Sequence, residues 1–180
     1  MKLRKRMLAG MLAALPLIAT PAVATAETTE AAVQANLDRL AAERAAVSPA
    51  AVRVCYAVHV ADSGWLPGVC DGEEAGIPWQ GKQIEAIRIA VAGTSGGVGV
   101  CYAPHLQDIG WVGESCNDNL AGTTGQSRRL EALRIRGLGT RLCYTAMGQG
   151  YEYQNVRCQN EEVGTVGQGR YMSGILIWVA

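Results

Sequence analysis

The chain has 180 residues, 49% hydrophobic and 18% charged, with 16 basic and 16 acidic side chains. A chain of this length holds one core of useful size, and the lack of a basic excess excludes nucleic acid and anionic membrane surfaces as partners. Six cysteines, an even count, read as a disulfide framework if the chain is exported.

Residues 1–26 carry the marks of a secretory signal. Lys2, Arg4, Lys5 and Arg6 form a positive front, Met7 to Ile18 a short apolar stretch, and Ala24-Thr25-Ala26 a small-residue cleavage site. The apolar stretch is too short to span a bilayer comfortably, and nothing later in the chain approaches such a length. Its removal would leave 12 basic against 16 acidic side chains, a net charge of −4, with Lys82 the single lysine. Secretion to the extracellular space is therefore expected.

Residues 27–51 are rich in alanine and charge and place Val33, Leu37 and Leu40 at helical spacing. The segment reads as a short N-terminal helix, a spacer or a helix resting loosely on the domain, ended by Ser48-Pro49.

From Val52 onward the pattern is β and threefold. The pairs Cys55/Cys70, Cys101/Cys116 and Cys143/Cys158 all share a separation of fifteen. Around them Val54-Cys55-Tyr56-Ala57 aligns with Val100-Cys101-Tyr102-Ala103 and Leu142-Cys143-Tyr144-Thr145. Gly64-Trp65 aligns with Gly110-Trp111, and Ala75-Gly76 with Ala121-Gly122 and Val163-Gly164. The offset is 46 from the first unit to the second and 42 from the second to the third, so all variation in length falls between units. The repeats run approximately over 52–97, 98–139 and 140–180. Cysteines separated by 15 within units but by 31 and 27 between them favour closure within each unit: Cys55–Cys70, Cys101–Cys116 and Cys143–Cys158. No Cys-x-x-Cys pair occurs, and only His59 and His105 offer imidazole ligands, so no metal and no cofactor are expected.

Within a unit, Val52–Val60 reads as a strand, Trp65–Cys70 as a short strand, Gly76–Gly81 as a loop and Ile84–Val91 as the longest strand. A lone three-stranded unit leaves open edges. Three copies about a pseudo-threefold axis would share a core. The expected fold is all-β, β-prism-like, with a β-trefoil as the alternative.

The second unit contains Cys101-Tyr102-Ala103-Pro104-His105-Leu106-Gln107-Asp108-Ile109-Gly110-Trp111, then Ala121-Gly122-Thr123-Thr124-Gly125-Gln126 and Arg129-Leu130-Glu131-Ala132-Leu133-Arg134-Ile135. These stretches resemble the clostridial hydrophobic tryptophan (ChW) repeat family, and the resemblance extends over 54–177. The first unit departs at Ile77-Pro78-Trp79, and the third has Tyr153, Met147 and Ser173 where Trp, His and Glu stand elsewhere. The resemblance implies a secreted or surface-displayed module for adhesion or polysaccharide binding, without catalysis.

Candidate ligand contacts follow from residue chemistry. Trp65 and Trp111 offer rings for sugar stacking, or equivalent core positions. Trp79 occurs in one unit only, in a Gly/Pro loop. Thr123, Thr124 and Gln126 bring hydroxyls and an amide to a small-residue loop. His59 and His105 precede Asp62 and Asp108 by three positions, a spacing that anchors a turn through a His–Asp hydrogen bond. Glu85 and Glu131 are expected to pair with Arg88 and Arg134. The clusters Asp71–Glu74, Asn117–Asn119 and Asn160–Glu162 read as solvated turns. No nucleophile–base set stands out, so no enzyme is expected. The expected partner is a polysaccharide or cell-envelope glycan, held through repeated weak sites, or else a secreted or surface protein.

Overall fold

The computed structural model describes residues 29–47, 51–93, 97–150 and 152–180. The signal read at 1–26 and the helix stop at Ser48-Pro49 lie outside them. Among the described residues no helix is long and apolar enough to cross a membrane.

Helix α1, Glu30–Val47, begins where Thr29 Oγ1 accepts the Ala32 N–H at 3.3 Å, an N-cap that satisfies a free helix-end donor. Glu30 in the first turn and Arg44 in the last complement the helix dipole. The helix does not lie loosely. Val33, Leu37 and Ala41 are buried, while Leu40 is only partly so. Ion pairs fix both ends, Glu30 to Arg88 at 3.3 Å and Arg44 to Glu73 at 3.0 Å.

The first unit is a long hairpin, β1 (Arg53–Val60) against β5 (Ile84–Ala92). Where one strand was expected over Trp65–Cys70 there are two fragments, β2 (Gly64–Trp65) and β3 (Val69–Cys70), both paired to β1. Leu66–Gly68 interrupts the ladder between them, as Val112–Glu114 does in the second unit. The expected loop after Ala75 is itself partly strand, β4 (Ala75–Gly76), followed by a 3₁₀ turn at Pro78–Gln80. The second unit repeats the plan with β6 (Gly99–Leu106), β7 (Gly110–Trp111), β8 (Ser115–Cys116), β9 (Ala121–Gly122) and β10 (Leu130–Leu138). The third has β11 (Leu142–Gly148), β12 (Arg157–Cys158), β13 (Glu162–Gly164) and β14 (Met172–Val179). A single bridge between Met147 and Tyr153 marks where its Gly-Trp strand would be. Disulfides close each unit on itself: Cys55–Cys70, Cys101–Cys116 and Cys143–Cys158. Such loops contribute roughly 3 kcal/mol apiece by restricting the unfolded chain.

Strands of two or three residues close a ring. β4 of the first unit pairs with β14 of the third, β9 of the second with β5 of the first, and β13 of the third with β10 of the second. Three antiparallel sheets result, the arrangement of a prism rather than of a trefoil's barrel. The step repeated in each crossing is a glycine: Gly76, Gly122 and Gly164 have φ of +124°, +118° and +100°. A Cβ there would lie 2.2–2.3 Å from the carbonyl oxygens of Ser173, Glu85 and Glu131, so no side chain fits.

A tyrosine seals each junction. The hydroxyls of Tyr56, Tyr102 and Tyr144 donate to the carbonyls of Glu73, Asn119 and Glu161 in their own units. Each also accepts an amide of the preceding unit in the ring: Ile177 at 2.9 Å, Ile89 at 3.1 Å and Ile135 at 3.1 Å. All three tyrosines are fully buried in the shared core with Ile87, Ile89, Leu133, Ile135, Ile175 and Ile177. Burial raises their pKa values, that of Tyr144 to about 12 and the other two further, so the hydroxyls keep the protons they donate.

The outward face of each hairpin is finished differently. In the first unit α1 covers Cys55, Ala57, Trp65, Cys70, Ala86 and Ala90, with Leu37 against Gly68. At the places of Gly68 and Ala90 the second unit has Glu114 and Arg136, an ion pair at 2.8 Å. That pair occupies the seat a helix would need on the second unit. The third unit has Val156 and Trp178 there.

Asp118 corrects the expectation of solvated turns, since it is 4% exposed and neither carboxylate oxygen has a hydrogen-bond partner. Burial raises its pKa from 3.8 to about 6, with Arg88 opposing and Asp38 reinforcing the shift. The folded protein therefore holds this proton more tightly than the unfolded chain. Stability falls as pH rises through the window from about 4 to 6, and the cost stays above it. Position 118 has φ of +64° and its counterpart Asn160 +69°, so asparagine is conformationally suited. Asp118→Asn is expected to stabilise the protein by about 1–2 kcal/mol at pH 7. Paired denaturant titrations should show that advantage vanishing by pH 4.

Candidate functional site

The site grows out of a β-bulge. Along β1 and β5 the register runs His59 to Ala86 and then Val60 to Ile84, leaving Glu85 unpaired between them. Glu131 between β6 and β10, and Ser173 between β11 and β14, occupy the same bulge. A bulge re-aims the extra side chain, and here it turns a glutamate towards the histidine of the facing strand. Glu85 Oε2 lies 3.1 Å from His59 Nδ1, and Glu131 Oε2 lies 3.2 Å from His105 Nδ1. The expected His–Asp turn bonds and Glu–Arg pairs are both displaced by this contact. Arg88 instead reaches Glu30 and the Asp118 carbonyl, and Arg134 reaches Glu162 at 3.1 Å. Turn aspartates Asp62 and Asp108 adopt positive φ and lie outside the His–Glu contact.

Each histidine meets its tryptophan edge-on, His59 to Trp65 at 5.5 Å and His105 to Trp111 at 5.4 Å between centroids. The arginine follows, Arg88 at 5.8 Å from the Trp65 ring and Arg134 at 4.0 Å from that of Trp111. Cation–π contact on one face and, for Trp65, only 8% exposure leave these rings an edge for a ligand rather than an open platform. Trp79 behaves otherwise: it stands 67% exposed on the 3₁₀ turn.

Ring closure supplies the other wall. Because β9 pairs with β5, the loop after it arrives over the first unit's cluster, with the Thr123 amide on the Glu85 carbonyl at 3.0 Å. A cavity of about 700 Å³ opens there, lined by His59, Asp62, Trp65, Glu85, Thr124 and Ser127 together with Gly125 and the start of α1 at Thr29 and Glu30. Thr124 thus reaches the site and Thr123 lies beside it with its hydroxyl buried. Gln126 is exposed, and neither it, Asp108, Trp79 nor Trp111 lines this cavity. Residues missed from the sequence are Ser63, Ser127 and Glu30. The turn contributing Ser63 was legible as Asp62-Ser63-Gly64, but its meeting with the second unit's loop depends on the strand exchange. A second cavity, of about 530 Å³, is lined by Gln149, Glu152, Tyr153, Arg170 and Tyr171 of the third unit and Glu131 of the second, among others. It holds neither histidine nor tryptophan.

Among the described residues the metal-like grouping Cys101, Glu114 and Cys116 offers no thiolate, because both sulfurs are in a disulfide.

Fold and site together define a closed array of disulfide-stapled β repeats with a polar cleft at a repeat junction. Two stretches of the chain, residues 59–93 and 105–139, match the family model described as Clostridial hydrophobic W. Each matched stretch runs from the histidine, through the tryptophan and the Ala-Gly crossing, to the bulge glutamate and the strand beyond it. No curated protein and no solved structure matches the chain.

Proposed function

We propose that this protein is an extracellular, non-catalytic module that binds carbohydrate of a cell envelope in the clefts between its units. The observation that carries the reading is the cavity of about 700 Å³ in which three carboxylates, an imidazole, four hydroxyl-bearing side chains and an indole edge converge. Sugars are recognised by that combination, planar and directional acceptors for hydroxyls beside an aromatic edge for C–H surface. The chemistry for catalysis is weaker: the Ser63 hydroxyl is engaged by Lys82 at 3.3 Å rather than by His59, so no nucleophile–base pair is formed there. Repetition of the His–Glu–Trp cluster in the second unit favours multivalent engagement of a polymer. Binding of polysaccharides and their short oligomers by the purified chain, followed by calorimetry, tests this. Retention of a glycan polymer more strongly than its oligomers is expected, and failure to hold any glycan removes the reading.

The exposure of Trp79 favours a second reading, contact with a secreted or surface protein, since exposed tryptophans are frequent interface anchors. Trp79→Ala would then abolish partner capture while leaving glycan binding intact.

A further inference from the structure

The first two units differ at one position that decides the charge of the site. In the second unit Arg129 holds Glu131, with both Nε and Nη2 2.9 Å from Oε1. Its counterpart in the first unit is Gln83, whose neutral amide reaches Glu85 Oε1 at 3.4 Å and the Ser127 carbonyl at 3.3 Å. Glu85 is only 3% exposed and lines the cavity. The other charged groups around the cleft are matched already: Glu30 with Arg88 at 3.3 Å and Asp62 with Lys82 at 3.9 Å. His59 brings a cation only when protonated. A buried carboxylate without a fixed cation is costly unless something supplies one.

The geometry points to a ligand ammonium as the missing partner: the first-unit cleft selects amino sugars bearing a free amine over their N-acetylated forms. This deepens the glycan reading and rests on it. The ammonium would displace the Gln83 amide, which now bridges Glu85 Oε1 and the Ser127 carbonyl, and take the position that Arg129 gives its guanidinium in the second unit. The sugar ring would lie along the Trp65 edge.

Calorimetry with glucosamine oligomers, N-acetylglucosamine oligomers of equal length and a lysine-containing peptide tests it. The glucosamine oligomer is expected to bind at least about tenfold more tightly than the acetylated one. Glu85→Gln should erase that preference. Gln83→Arg, which installs the residue already present at this place in the second unit, should erase it too, with the thermal transition confirming an intact fold. Equal affinity for both oligomers, or preference surviving in both variants, overturns the inference and leaves glycan binding standing. Binding of the peptide but neither oligomer overturns the inference, as does silence towards every probe, whereas the glycan reading falls only if no polysaccharide of any class is held.

Discussion

Gly122→Ala is expected to destabilise the protein by about 4 kcal/mol or more, an effect shared with the equivalent crossings at Gly76 and Gly164. The new Cβ would fall 2.3 Å from the Glu85 carbonyl oxygen and 2.6 Å from the Ala86 Cα. Both are backbone atoms of β5, which is held to β1 on either side of the Glu85 bulge, so neither can swing far aside. The φ of +118° adds strain that only glycine avoids. The residue that moves must be the crossing strand itself, which opens the ring between the first and second units and withdraws the Thr124 wall from the cavity. In a domain of this size the transition temperature should drop by roughly 10 °C or more. Gly113→Ala is the internal comparison: it is a loop glycine of the same unit with nothing within 4 Å of an added Cβ, and its cost should stay within about 0.5 kcal/mol. Differential scanning calorimetry of the two variants decides the matter. Similar transitions would mean that the crossing is not needed for closure.

Tyr102→Phe should cost about 2–4 kcal/mol, although it removes one oxygen and no apolar surface. That hydroxyl satisfies the Asn119 carbonyl of the second unit and the Ile89 amide of the first. Its loss orphans a donor and an acceptor at a site with no exposure at Tyr102 itself. The effect has a signature that simple loss of packing lacks. Hydrogen exchange at the Ile89 amide, in the neighbouring unit, should accelerate well beyond that of its strand neighbours. Tyr56→Phe and Tyr144→Phe should transfer the same lesion to Ile177 and Ile135 in turn. Unchanged protection at Ile89 would deny the clasp its role.

Much of this architecture was legible in the residues because it rests on strict repetition. Constant cysteine spacing reported the disulfides, since a fixed cross-link geometry requires a fixed loop. The long strands β1, β5 and their counterparts were visible in Val, Ile and Tyr content. What joins the units was not legible as structure, although its residues were noticed. Ala75-Gly76 and its copies stood out as a motif, but two residues carry no periodicity from which a strand could be read. The tyrosine beside each first cysteine likewise aligned in all three units without revealing that its hydroxyl bridges to another unit. The site suffered for the same reason. Which carboxylate faces His59 depends on a one-residue bulge, and sequence spacing pointed to Asp62 where register places Glu85. The tryptophans were singled out correctly as a repeated feature, yet α1 hides most of Trp65 and Arg134 stacks on Trp111, both consequences of tertiary contact. Differences between the units became informative only with geometry in hand. Gln83 against Arg129 is an unremarkable exchange until each is seen touching the bulge glutamate.

The most direct test is a nitrogen–proton correlation spectrum of the labelled protein during titration with glucosamine oligomers. The account predicts that the Trp65 indole N–H and the amides of Ser63, Gly125 and Ser127 shift together and saturate at a single affinity, because these groups wall one cavity contributed by two units. Perturbations confined to other surfaces, or the absence of any shift at saturating oligomer, would contradict it.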